Sequence, residues 1–263
     1  MTNVVKTTVA VSVLAVAAGQ VFAAQKLVAS APVGNVVVDN PAATALPVNF
    51  GAAAAGVPIS GFGLSGTFSG INVDNSDGLW PWSLDLAVGI TSPDSQFLQW
   101  GSPIAGDRTF SDYPIQDFTG GFTNAQATGT WNLNFTDTGP STAASFEIQN
   151  ASVHLMTQVP DVVTPVAADV TTGPQWSRPF AINGVSSLGP VFYEAVTFTV
   201  SESGGYVFDT SVSSGNAFTF LYADGFDPSL PLENLLDYGL GNGSSPFGVP
   251  PGQSLIEALL FEG

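Results

Sequence analysis

Over most of this chain large apolar residues fall on every second position, the period of a strand with one face on a core. In Trp82-Ser-Leu84-Asp-Leu86-Ala-Val88-Gly-Ile90 they are Trp, Leu, Leu, Val and Ile. Trp131, Leu133 and Phe135 alternate with Asn132 and Asn134, and Phe146 and Ile148 with Glu147 and Gln149. Past Asn150 the apolar set becomes Ala151, Val153 and Leu155, which predicts a bulge or bend there. Val196, Phe198 and Val200, then Tyr206 and Phe208, then Phe218, Phe220 and Tyr222 repeat the pattern. Asp77-Gly78, Ser92-Pro93-Asp94, Gly120-Gly121, Thr138-Gly139-Pro140 and Ser203-Gly204-Gly205 punctuate these runs. Short alternating runs between such turns predict an all-β fold of two β-sandwich, jelly-roll-like modules.

The first 23 residues depart from this. Lys6 is followed by ten uncharged residues, Val9 to Ala18, and then by Gly19-Gln-Val21-Phe-Ala23, with small residues where a signal peptidase cuts. The run is shorter than the roughly 20 residues of a membrane anchor. It reads as a signal peptide helix, cut after Ala23 or Ala24, that leaves no membrane span in the mature chain. Residues 24–57 are rich in Ala, Val and Pro and hold one strand-like run, Asn35 to Asp39. That run is expected as an extended segment able to complete a neighbour's sheet. The modules then occupy residues 58–158 and 175–263, joined by a proline-containing linker over 159–174.

Composition narrows the partners. The chain has 263 residues, 44% of them hydrophobic, and no cysteine, so neither disulfides nor thiol chemistry are open to it. Its formal charge is −17, and losing Lys6 leaves three cations against 21 acidic residues, or −18. Such a surface is repelled by phosphate backbones, which excludes nucleic acid. Divalent cations are its natural counter-ligands, and Ca²⁺ takes carboxylate and carbonyl oxygens.

Two resemblances rest on particular residues. Trp82 to Asp94 and Gly129-Thr-Trp-Asn-Leu-Asn-Phe-Thr-Asp137, with the later strand Phe146 to Leu155, resemble the P domain of proprotein convertases and bacterial subtilases. Val196 to Asp209, Phe220 to Pro228 and Leu232 to Asp237 are similar to the bacterial pre-peptidase C-terminal domain. Both resemblances imply β-sandwiches that accompany secreted enzymes without doing chemistry. The second also implies an aromatic-rich strand and a closing strand beyond Leu255 to Phe261. That run is therefore expected to lack its partners, leaving an open edge prone to self-association and a second module weaker than the first.

The candidate chemistry is sparse. His154, the single histidine, sits opposite in phase to Val153 and Leu155 and is expected on the solvent side of its strand. A Ser-His-Asp triad would have to use it, and no Gly-x-Ser-x-Gly elbow accompanies it. Asp74, Asn75 and Asp77 place hard oxygen donors in one turn and are the calcium candidates. They lack EF-hand spacing, and an Asx turn needs no ion. Asp224, Asp227, Glu233 and Asp237 form a second acidic stretch, while Trp80 and Trp100 are candidates for stacking on sugar rings. The chain reads as an exported, non-catalytic bacterial protein that binds a cell-surface or secreted protein or a polysaccharide. A detached accessory part of a secreted protease system, or a carbohydrate-binding or carbohydrate-degrading protein, are the alternatives.

Overall fold

A computed structural model describes residues 7–13, 16–39, 43–72, 85–101, 113–139, 145–160, 163–170, 172–181, 184–212, 217–241 and 253–262. Within them strands dominate, and the helical turn Ala52–Ala54 is a single short one. The all-β expectation holds. Contacts divide the chain into two units, one of Gln25–Val159 and one of Met1–Ala24 with Pro160–Gly263.

The N-terminal segment opens with strands β1 (Thr7–Val13) and β2 (Val16–Asp39). The helix expected for residues 1–23 is not what the described part forms. Thr7, Thr8, Val9, Val11 and Val13 are β-branched, stiff at χ1, and better suited to a pleated surface than to a helix.

The Gln25–Val159 unit is sandwich-like. It adds β3 (Thr44–Asn49), β4 (Pro58–Asn72), β5 (Leu86–Thr91), β6 (Phe97–Trp100), β7 (Tyr113–Gln126), β8 (Thr130–Asp137) and β9 (Ser145–Gln158). One antiparallel sheet has the order β2-β9-β4-β7, and the other β3-β8-β5-β6. Along β8 the alternation is realised as read: Trp131, Leu133 and Phe135 are buried while Asn132 and Asn134 are exposed. Trp131 meets Phe62 of β4 at 6.1 Å and Phe122 of β7 at 5.2 Å between ring centroids, so the two sheets pack face to face through aromatic rings. Its indole N–H donates to the Ala127 carbonyl at 3.2 Å, which leaves no buried polar atom on the ring unpaired.

The tail expected over 24–57 belongs to this unit. Val36 to Asp39 pair with Ile148 to Ser145 of the same chain, so this run is a strand of its own chain's sheet and not a free extended segment. The bulge at Asn150 is present. Asn150 has φ 53°, its N–H donates to Asn35 Oδ1 at 3.0 Å, and the register slips on both flanking strands there. Gly66 takes up the same irregularity at φ 155°, where a Cβ would lie 2.9 Å from the Gln149 carbonyl oxygen.

In the second unit the linker read over 159–174 contains a strand, β10 (Val163–Asp169), paired with Val16 to Phe22 of β2. There follow β11 (Gln175–Trp176), β12 (Pro179–Ala181), β13 (Gly184–Val185), β14 (Val191–Phe192), β15 (Glu194–Phe198), β16 (Gly204–Val212), β17 (Ala217–Tyr222), β18 (Leu235–Gly241) and β19 (Gln253–Leu260). One sheet runs β15-β1-β17-β18. Leu255 to Leu260, expected without partners, are paired antiparallel with β16 as part of an eight-residue register. Ile256, Ala258 and Leu260 join Phe208, Leu221, Val170 and Val200 in one buried cluster. The other face of β17 is also covered: Phe220 stacks edge-on against Trp176 at 5.3 Å, and Trp176 against Phe226 at 4.9 Å. With β1 on one edge and β18 on the other, β17 is also an interior strand.

Candidate functional site

Asp74, Asn75 and Asp77 lie outside the described residues, as does Trp80. Of the second acidic stretch, Asp227 accepts from the Ser229 N–H at 2.8 Å and hydroxyl at 2.7 Å, an Asx turn that also holds its carboxyl below the usual range. Asp224 occupies a left-handed turn position at φ 56°. Asp237 lies on β18, where burial first and the nearby Glu257 of β19 second push its carboxyl up to about 7. Among the described residues no group of three or more His, Cys, Asp or Glu is placed to hold a metal ion. Trp100, offered as an exposed sugar platform, is buried.

The clearest departure from the sequence reading is His154. It is 3% exposed, not a solvent-facing bystander. In the sheet it stands level with Ser30 on β2 and Gly63 on β4. Its Nδ1 lies 2.8 Å from Ser30 Oγ and its Nε2 2.8 Å from Ser65 Oγ. Burial pushes the imidazole down to about 4, so it is neutral at pH 7. A neutral ring has one N–H and one lone pair, so one serine accepts from it and the other donates to it. Three strands are thereby tied across the outer face of their sheet.

A neutral histidine beside a serine is also the start of a nucleophile–base pair. The surroundings of Ser65 do not complete one. Ser65 is paired to Gln116 on one side and Ser152 on the other, and His154 is likewise inside two ladders. Backbone N–H groups spent on ladders are not free to hold an oxyanion. The row works as a polar brace.

Sequence phase placed His154 on the correct face and misjudged its cover. Phe118 and Met156 are buried on that same face, and Gly61, Gly63 and Gly120 there carry no side chain. The Gln25 side chain fills the space over Gly61 and Gly120. The available signal was Met156, an apolar residue two positions from His154 on the face taken as solvated.

The two segments that carried the first resemblance are neighbours. β5 and β8 pair from Leu86↔Asp137 to Thr91↔Asn132. At their end Asp137 accepts from the Gly139 N–H at 2.8 Å, while burial and then the Asp85 charge raise its carboxyl overall. The Thr-Ser-Pro turn is held by its own side chains: Ser92 Oγ donates to Asp94 at 2.6 Å, and Gln96 bonds Asp94 at 3.0 Å and the Thr123 carbonyl at 3.1 Å. The Ser92 bond, followed by that of Gln96, holds Asp94 below the usual carboxylate range.

Arg178 is a buried cation. Its guanidinium lies 3.9 Å from the Phe218 ring centroid and donates to the Pro179 carbonyl at 2.9 Å, with burial lowering its pKa. Nearby, Phe180, Val185 and Leu188 expose apolar surface around the β12–β13 hairpin, Leu188 at 82%. Among the described residues no helix is long and apolar enough to cross a membrane. No protein-family model and no curated protein matches the chain.

Proposed function

We propose that this is an exported, non-catalytic bacterial protein that acts by binding or assembly at or beyond the cell envelope. One observation supports this most. The single histidine, His154, is buried and bonded to two serines, and Ser65 beside it lies inside two strand ladders. Apolar side chains, by contrast, stand in solvent at Phe180, Val185 and Leu188. Exposed apolar residues on a hairpin and in the turn after it are candidate points of contact for a partner. The resemblances to P domains and pre-peptidase C-terminal domains point the same way. The partner is a cell-surface or secreted protein or a polysaccharide, with Ca²⁺ at Asp74, Asn75 and Asp77 the candidate ion.

Export rests on Lys6, the uncharged run and Val21-Phe-Ala23. Mass spectrometry of the protein recovered outside the cytoplasm tests it. The expected N-terminus is Ala24 or Gln25, and an intact Met1 in that fraction refutes the reading.

A further inference from the structure

β1 is an interior strand. It pairs antiparallel with β15 from Thr7↔Phe198 to Val11↔Glu194, and with β17 from Thr8↔Tyr222 to Val13↔Ala217. These are residues that processing after Ala23 would remove. Neighbouring strands lie about 4.8 Å apart, so β15 and β17 on either side of β1 are separated by about 10 Å, beyond the reach of mutual hydrogen bonds. Taking β1 away leaves two facing rows of backbone donors and acceptors. On the β17 side that row is flanked by Thr219, Phe220, Leu221 and Tyr222, all fully buried. Unpaired backbone beside a buried surface is costly, and an added strand restores every bond at once.

From this geometry we propose that, once the leader is removed, the space between β15 and β17 is an acceptor slot for a strand donated by a partner protein. The inference rests on the export reading. The strand seated there defines the donor's chemistry: uncharged, without proline, and β-branched at positions level with Phe198, Val196 and Glu194 on one side. The chain's own spare strand does not meet these terms. β10 loses its partner, Val16 to Phe22, by the same cut. It carries Pro165, which has no N–H to give in an interior position, and ends on the charged Asp169.

Thr219 sharpens the donor. It is fully buried, its Oγ1 has no hydrogen-bond partner, and it is level with Val11. Valine offers no polar atom. A donor with threonine at that position supplies one, and should bind roughly fivefold tighter, the effect of one net hydrogen bond.

The test uses the full chain with a protease site in place of Leu14-Ala15, so that cutting leaves β1 as a bound fragment. A fluorescent Thr-Thr-Val-Ala-Val-Ser-Val peptide should then exchange into the nicked protein and co-elute with it. A Val11→Thr peptide should exchange in more tightly, and a Val11→Pro peptide should fail. In the uncut chain, Val11→Pro should lower the melting temperature read at Trp176. Failure of the wild-type peptide to enter, or an unchanged melt of uncut Val11→Pro, overturns the slot. An exported protein with Met1 intact would instead sink the export reading, whatever the peptide does.

Discussion

Acid should weaken the Gln25–Val159 unit through His154. In the unfolded chain this histidine titrates at its ordinary 6.5, and in the fold it is pushed down to about 4. The unfolded state therefore binds the proton first as pH falls. Stability from this group is complete above about pH 6.5 and is lost progressively down to about pH 4. The gap corresponds to about 3 kcal/mol, a figure appropriate to a ring this deeply buried. With a urea slope of about 2 kcal/mol per molar, the unfolding midpoint should drop by about 1.5 M between pH 7 and pH 4. Five tryptophans are present, and only Trp176 lies outside residues 25–159. A Trp176→Phe protein thus reports this unit alone by fluorescence. Asp137 titrates with the opposite sign in the same unit, because its carboxyl is raised. His154→Gln, which keeps a donor and an acceptor for Ser30 and Ser65, isolates the histidine by difference. The wild-type midpoint should fall about 1.5 M further than that of His154→Gln over this pH range. Equal falls would show that the imidazole is not held neutral by burial.

The other unit should behave in the opposite way. Asp237, raised to about 7, favours the protonated fold, so stability from it is lost as pH rises from about 4 to about 7. Asp237→Asn should flatten that dependence in Trp176 fluorescence, and an unaltered profile would count against a carboxyl raised chiefly by burial. Gly66→Ala forces a Cβ against the Gln149 carbonyl at a left-handed φ and should cost about 1–3 kcal/mol by urea unfolding. Trp131→Ala removes a fully buried ring from between the sheets and should cost about 3–5 kcal/mol. For the Asp74-Asn75-Asp77 loop, melting in Ca²⁺ should exceed melting in chelator, by about 2.7 kcal/mol at a hundredfold excess over Kd. The difference should vanish in Asp74→Ala with Asp77→Ala, while identical wild-type curves would make the loop a plain turn.

Alternation made most strands legible because side-chain period and burial agree wherever one face meets a core and the other meets water. β8 is such a strand. β5 is not: Leu86, Ala87, Val88 and Ile90 are all buried, so period alone understates its cover. His154 shows the same limit on a polar residue. The conformation of the N-terminal segment was not legible for another reason, since a run of Val, Ala and Thr satisfies both a leader's apolar requirement and a strand's preference for β-branched residues. Long-range pairing was the least legible property. Nothing local in Asn35 to Asp39 or Leu255 to Leu260 names Ile148 to Ser145 or Asp209 to Gly204 as their partners.

The proposal that this protein binds without catalysis meets its most direct test at Ser65. Purified protein is incubated with casein and with a panel of polysaccharides, and both retention and product are measured for wild type and Ser65→Ala. Retention of a ligand with no product above buffer, the same in both proteins, is the predicted result. Product formed by wild type and abolished in Ser65→Ala would make the Ser65–His154 pair catalytic and contradict the account.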